Sequence, residues 1–288
     1  MTKRLADISA RIDGIGQLGQ VVNAMRGIAS ARAQQARSQL VAVESYATTI
    51  ALAIGRVLAV TPSSGLDGSR KATRPALVLF VAEQGFAGAF SERVLDAVGA
   101  ELAQSVVFLV GARGRAIAAE RGVEVDWTSP MPAQSLGVSR LADRIAEAVY
   151  ARIGAGDIDR LDAVFSQWRI GEPVHVVRRR LFPFDMHAFA PPKHGGAPLC
   201  NLPPEDLLRD LTADYMHAQL CDAALHAFAA ENEARVETMA AARKEIDRQL
   251  ESLKATQRQV RQEDITAEII ELAAGETASR AIGRATAK

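Results

Sequence analysis

Residues 236–260 read VETMAAARKEIDRQLESLKATQRQV, and the spacing inside that stretch decides the fold. Val236, Met239, Ile246, Leu250, Leu253 and Val260 fall on a ladder of three- and four-residue steps, which keeps one seam of a helix apolar. Arg243 and Gln257 stand where the seam turns polar. Ile265, Ile269 and Leu272 resume the ladder one residue out of phase, as a stutter in a coiled coil does. Outward from there, residues 205–274 contain neither glycine nor proline, the two residues that most often interrupt a helix. At 1.5 Å per residue the predicted helix is roughly 100 Å long, several times the usual length. A globular domain has no use for such a rod, so something outside this chain has to surround it.

The opening sixty residues have the same character. Leu5, Ile8, Ile12 and Ile15 step by three and four, and Leu18, Val22, Met25 and Ala29 continue after a slip of phase. Gly14, Gly16, Gly19 and Gly27 each weaken a helix by about 1 kcal/mol relative to alanine. They are tolerable against a partner, because small residues let two backbones approach, and Ala31, Ala33 and Ala36 argue the same way. The C-terminal rod is the obvious partner. The helix is predicted to end before Pro62, with a loop from Ser63 to Gly68.

Between the arms the pattern changes. Short apolar runs at 76–81, 106–110 and 161–168 read as buried strands, with a short strand at 123–125 and a charged one at 174–181. Helices are predicted at 91–104, 115–121 and 139–153. Alternation of this kind predicts an α/β, Rossmann-like domain with a mainly parallel sheet. Pro183, Pro191, Pro192, Gly195, Gly196 and Pro198 mark a loop, and Pro203-Pro204 leads into the rod. The predicted organisation is an N-terminal coiled-coil helix over 1–60, an α/β domain over 73–195, a C-terminal coiled-coil helix over 205–275 and a tail over 276–288. The fold class is an α/β domain inserted between the arms of a long antiparallel coiled coil.

Hydrophobic residues make up 48% of the 288, enough for a real core, while aromatics are only 5%. That balance suits closely packed alanine-rich helices. Lys plus Arg and Asp plus Glu are equal at 34, so no net field draws the chain to nucleic acid or acidic lipid. Cys200 and Cys221 lack metal-ligand spacing, and the expectation is a reduced cytoplasmic setting. The longest uninterrupted apolar runs fall far short of the ~18 residues of a membrane span. The first residues lack the pattern of a signal peptide, so a soluble protein is expected, one able to work beside a membrane.

Chemistry-bearing motifs are sparse. Gly85-Phe86-Ala87-Gly88 follows the first strand but lacks the third glycine of a dinucleotide fingerprint and the Gly-Lys-Ser/Thr of a P-loop; it reads as a tight turn. Gly111-Ala112-Arg113-Gly114 reads the same way. His175, His187, His194, His217 and His226 form no HExxH pair, and His187, His194 and Cys200 make an incomplete metal set. Arg178-Arg179-Arg180 reads as a solvated edge strand rather than a nucleic-acid site. No catalytic residues, cofactor or metal are expected.

The ends carry a more specific signal. Arg11-Ile12 followed by Asn23-Ala24-Met25-Arg26-Gly27-Ile28-Ala29-Ser30-Ala31 resembles the N-terminal helix of the gamma subunit of F-type ATP synthases. Gly85-Phe86-Ala87-Gly88-Ala89-Phe90-Ser91 resembles that family's Gly-Leu-Cys-Gly-Ala-Phe-Asn turn. Glu231-Asn232-Glu233-Ala234-Arg235 with Met239 is similar to its Glu-x-x-Ala-Arg-Met segment. Arg261-Gln262-Glu263-Asp264-Ile265-Thr266-Ala267-Glu268-Ile269 resembles its Arg-Gln-x-x-Ile-Thr-x-Glu-Ile signature, in register from Arg235 to Glu268.

The resemblance implies a non-catalytic rotor. The two terminal helices would form the central shaft inside a hexamer of catalytic and non-catalytic nucleotide-binding subunits. The α/β domain would sit with an epsilon-type stalk subunit and the membrane ring, on the cytoplasmic face of a bacterial inner membrane. Met25 and Arg26 would lie near the catalytic loops. Arg235, Arg261, Gln262, Thr266 and Glu268 would make polar contacts with the hexamer, Met239 and Ile265 would belong to the same coupling surface, and Ile269 and Leu272 would turn in an apolar collar. Ala82-Glu83-Gln84 stands where the family has Ser-Asp-Arg, and the ending after Leu272 also departs, as in a divergent bacterial branch. Two rivals explain less: a coiled-coil scaffold leaves the inserted domain unaccounted for, and a nucleotide-binding enzyme needs a phosphate loop.

Overall fold

The computed structural model describes residues 2–60, 74–169, 171–172, 174–186, 189 and 200–285. The predicted loops at 63–68 and 191–198, and His187 and His194, lie outside them. Helix α1 (Thr2–Leu58) is followed by β1 (Pro75–Phe80), α2 (Phe90–Val98), a 3-10 turn (Gly99–Gln104), β2 (Val106–Val110) and α3 (Ala112–Glu120). Then come β3 (Trp127–Ser129), α4 (Val138–Gly154), β4 (Arg160–Gln167), β5 (His175–Phe182) and α5 (Pro204–Ala285). The chain divides into two compact units, Ile28–Thr238 and Met1–Gly27 with Met239–Lys288. Both long helices contribute to each.

In the larger unit the five strands lie in the order β3-β2-β1-β4-β5. The first four are parallel, and β5 runs antiparallel to β4. Alternate residues of the apolar strands face opposite sides, and both sides are covered. Val78, Phe80, Phe108 and Phe165 pack with α4 and with Met216, Leu220 and Phe228 of α5. Leu77, Leu79, Leu109 and Val164 pack with Val94 and Leu95 of α2 and Ala118 of α3. That two-sided burial explains why the strands read as continuous apolar runs.

Three sequence expectations give way to local chemistry. The helix expected over 91–104 is broken at Gly99, whose φ of 54° ends α2. The strand expected at 123–125 begins only at Trp127. The Val123 amide instead closes α3 by donating to Ala118 O, and Asp126 pairs with Val107 through its amide and its carboxylate. Helix α5 continues to Ala285, through the stretch read as a separate tail. Helix α1 also contains one 18-residue window of mean hydropathy 1.4, more apolar than the short uninterrupted runs suggested.

The arginine run on β5 is not merely solvated. Arg178 and Arg180, with Arg160 of β4, hydrogen-bond the carboxylate of Asp162, which is 1% exposed. Burial alone would raise the Asp162 pKa, but hydrogen bonds from Arg160, Arg180 and Arg178 outweigh it and hold the group below the usual carboxylate range. Arg178 also grips Glu101 bidentately at 3.0 and 2.8 Å. Arg179 turns the other way, to Gln219 and Asp222 of α5.

In the smaller unit α1 and α5 pair antiparallel: Arg4 meets Glu263, Ser9 meets Gln257, and Val22 packs with Met239 and Ile246. The two polar breaks in the α5 seam both have counterparts on α1. Gln257 Nε2 donates to Ser9 Oγ at 2.9 Å. Arg243, paired with Asp247 at 2.8 Å, lies over Gly19, where an added Cβ would come within 2.8 Å of its Nη1. Gly19 therefore allows the close approach expected of small residues, whereas Gly14 and Gly16 face open space.

Candidate functional site

The residues singled out from sequence fall in two places, the turn after β1 with the part of α5 against it in the larger unit, and the helix pair of the smaller one. At the turn, the chain leaves β1 through Glu83-Gln84-Gly85-Phe86-Ala87-Gly88. Phe86 and Gly88 adopt the left-handed region, with φ of 63° and 57°. Gly88 suits that backbone at no steric cost; Phe86 is strained there and 62% exposed.

Carboxylates from the chain itself occupy this end of the sheet. Glu83 Oε2 accepts hydrogen bonds from the amide of Ala112, at 2.8 Å, and from that of Met131, at 2.9 Å. Ala112 opens α3, so Glu83 takes up one of the free amides that make a helix N-terminus an anion site. Glu231 of α5 accepts from the amides of Glu83 and Gln84, each at 3.1 Å. The cavity lined by Glu83, Gln84, Glu231 and Arg235 measures about 10 Å³, room for about one water and far below the several hundred Å³ of a ligand pocket. Gly111 and Gly114 have a packing reason as well, since a Cβ on them would lie 2.3 Å from Val81 O and 2.2 Å from Val81 Cγ2.

Arg235, expected among the polar contacts with outside subunits, is 5% exposed and committed within the chain. It donates to Glu231 at 2.6 Å, to Asn232 Oδ1 at 2.9 Å and to the carbonyl of Gly85 at 3.2 Å. A buried ion pair tolerates desolvation when its remaining donors and acceptors are satisfied in this way. Arg235 and Glu231 thus clamp the Gly85 turn to α5. Sequence reading saw both ends of this contact as motifs without seeing that one grips the other; the buried Glu-x-x-x-Arg spacing was the available signal.

Met239 is likewise interior, 2% exposed in the seam with Val22 and Ile246, and Met25 is half-buried against the same cluster. Arg26 is exposed and donates to Asn23 Oδ1, one turn before it, at 3.1 Å. Beyond Val260, at 3% the last buried seam residue, α5 changes face. Arg261, Gln262, Thr266 and Glu268 are exposed. Ile265, Ile269 and Leu272, whose spacing resumed the ladder, are 52%, 61% and 70% exposed, as is Ile270 at 63%. The stutter therefore does not continue an internal seam; it presents apolar side chains outward. Thr266 Oγ donates to the backbone carbonyl of Gln262 at 2.8 Å, an intrahelical bond.

Comparison with known proteins agrees with this architecture. The ATP synthase family model matches residues 4–278. The ATP synthase gamma chain of Chlorobium luteolum is 26% identical over 284 residues, covering 94% of this chain and 97% of its own. That of Streptomyces griseus is 28% identical over 299 residues, covering 96% and 97%. Among solved structures, the rotor of the Euglena gracilis mitochondrial ATP synthase superposes with a TM-score of 0.63 at 14% identity, over 92% of this chain and all of that one. The central stalk and c-ring of the Tetrahymena thermophila enzyme gives a chain at TM-score 0.54 and 14% identity, over 77% and 99%. With two long terminal helices, an inserted sheet and a family model spanning nearly its whole length, the chain belongs to the gamma-subunit family of the F-type ATP synthases.

Proposed function

We infer that this chain is the central-stalk rotor subunit of an ATP synthase. It couples ion flow through a membrane ring to ATP synthesis or hydrolysis in a surrounding hexamer. The observation that carries the reading is the outer end of α5: Arg261, Gln262, Ile265, Thr266, Glu268, Ile269 and Leu272 are all exposed on a helix whose buried seam has stopped at Val260. A lone helix in water gains nothing from four outward isoleucines and leucines, and a hydrophobic sleeve around it would bury them. Arg26 and the polar residues of the same stretch supply directional contacts to the hexamer, while Arg235 and Met239 act from inside by holding the turn and the seam.

The subunit is non-catalytic in this reading, as its membership of the gamma family supports, and its own carboxylates accept the amides at the turn after β1. Its partners are the nucleotide-binding subunits of the hexamer, an epsilon-type stalk subunit and the ion-carrying ring. It is peripheral to the cytoplasmic face of a bacterial inner membrane. A native pull-down from gently solubilised membranes, tagged on the α/β domain, is expected to recover hexamer subunits together with a small ring protein. Recovery of the chain alone, or as a stable self-dimer, would overturn the rotor in favour of a scaffold.

A further inference from the structure

In the larger unit an open cavity of about 460 Å³ is lined by Glu44 of α1, Gln167, Arg169 and Arg179 near the β4–β5 edge, and Asp222 and His226 of α5. Asp222 and His226 stand one helical turn apart, the spacing that presents two side chains on one face. One ligand atom each from Glu44, Asp222 and His226 lies within 4.8 Å of the others, the one such grouping of three among the described residues.

Asp222 is the telling member. It is 4% exposed, and Arg179 donates to its Oδ2. Its Oδ1 is buried, has no hydrogen-bond partner among the described residues and lies 3.7 Å from His226 Nε2. A carboxylate oxygen withdrawn from water without a donor is costly, so Oδ1 is open to a donor or a cation even though Arg179 pairs with the other oxygen.

We propose that Glu44, Asp222 and His226 bind a first-row divalent cation, with Zn²⁺ the occupant their chemistry favours. A mixed imidazole and carboxylate set suits zinc, and bonds of roughly 2.1 Å in a tetrahedron put neighbouring ligands about 3.4 Å apart. The 3.7 Å gap between Asp222 Oδ1 and His226 Nε2 is close to that edge. One imidazole with only two carboxylates is a poor set for Mg²⁺ or Ca²⁺, which rely on an oxygen cage, so the preference for Zn²⁺ comes from the donors and not from Arg169 and Arg179, which also line the cavity.

The surroundings orient the ligands. Arg179 fixes Asp222 through Oδ2, leaving Oδ1 turned to the cluster, and the same guanidinium sits 5.1 Å from the centre of the Phe165 ring. The His226 ring stacks on Phe165, with centroids 5.8 Å apart and planes 15° apart. Outer contacts of this kind set the direction of metal-binding side chains. Gln167 Nε2 lies 3.1 Å from His226 Nε2; on binding, this neutral contact gives way to the ion, and the amide turned over offers its oxygen as a further ligand. With Glu44 on α1 and the other two on α5, the ion would tie the two helices together within this unit.

The test is titration of the purified full-length chain with Zn²⁺, by calorimetry and by competition with a chromophoric chelator, together with thermal unfolding. One equivalent is expected to bind and to raise the unfolding temperature. Glu44→Gln changes an exposed side chain, so its metal-free unfolding temperature should match the parent, while Zn²⁺ affinity falls at least tenfold and the thermal shift is lost. His226→Gln should behave the same way toward Zn²⁺. Absence of stoichiometric binding overturns the proposal. So does binding that survives Glu44→Gln, which would place the ion elsewhere, on the cysteines or a surface histidine.

Discussion

Asp162 faces three guanidinium groups from two neighbouring strands, Arg160, Arg178 and Arg180, and owes its ionised state to them. Its folded-state pKa is lowered: burial pushes it up, and the three hydrogen bonds pull it down further. A carboxylate depressed in this way contributes stability above its unfolded pKa, near 3.9, and that contribution is lost as pH falls through the folded value. Denaturation midpoints measured against pH should therefore drop on the acid side, and Asp162→Asn should flatten that limb. At neutral pH the same substitution should cost about 2–3 kcal/mol, less than a fully buried pair because the arginines keep partial contact with water. A variant as stable as the parent across the whole range would refute this account. The run Arg178-Arg179-Arg180 was plain in the sequence, but its direction was not. Alternation along β5 sends Arg178 and Arg180 to one side and Arg179 to the other, but only the pairing with β4 shows that Asp162 waits for the first two. Glu83 was equally invisible, since a lone glutamate in a turn carries no sign of the amides it will meet.

At the level of elements, both long helices and four of the five strands were legible, most of them because each has one dominant period or an unbroken apolar run, and the charged β5 was readable at 174–181 despite its arginines. The failures came where a single backbone contact outweighed pattern, at Gly99 and at Asp126 before β3. The α1 glycines looked alike in sequence, and the structure separates them. Gly14 has nothing within 4 Å of an added Cβ, so Gly14→Ala should gain the ordinary helix advantage of about 0.5–1 kcal/mol in urea unfolding. Gly19→Ala should gain less, or lose, because its Cβ would press on Arg243 Nη1 and, at 3.2 Å, on Ile246 Cγ2. Equal gains at both positions would show that Gly19 is not a contact glycine. The seam from Val236 to Val260 was readable by period alone. Its continuation through Ile265 and Ile269 was readable only as spacing, for nothing in one chain's periodicity distinguishes an inward face from an outward one.

For the whole molecule, the family resemblance carried by the terminal motifs supplied what periodicity could not. A coupling role for Gln262 and Thr266 predicts a clean dissociation of effects. Both are exposed, so Gln262→Leu with Thr266→Val should leave the unfolding of the isolated chain within about 0.5 kcal/mol of the parent. Assembled into the complex, the same pair should lower ATP hydrolysis severalfold; unchanged turnover would remove these two residues from the interface. The turn after β1 bears on a different matter. A sheet wound like this one is a common housing for nucleotides, and here Glu83 and Glu231 have taken the seat themselves. The amides that could hold a phosphate at this turn are taken by the chain's own carboxylates. In a rotor, that makes the turn a rigid joint: the carboxylates that close it tie β1, α3 and α5 together, so the sheet passes on a force instead of a ligand.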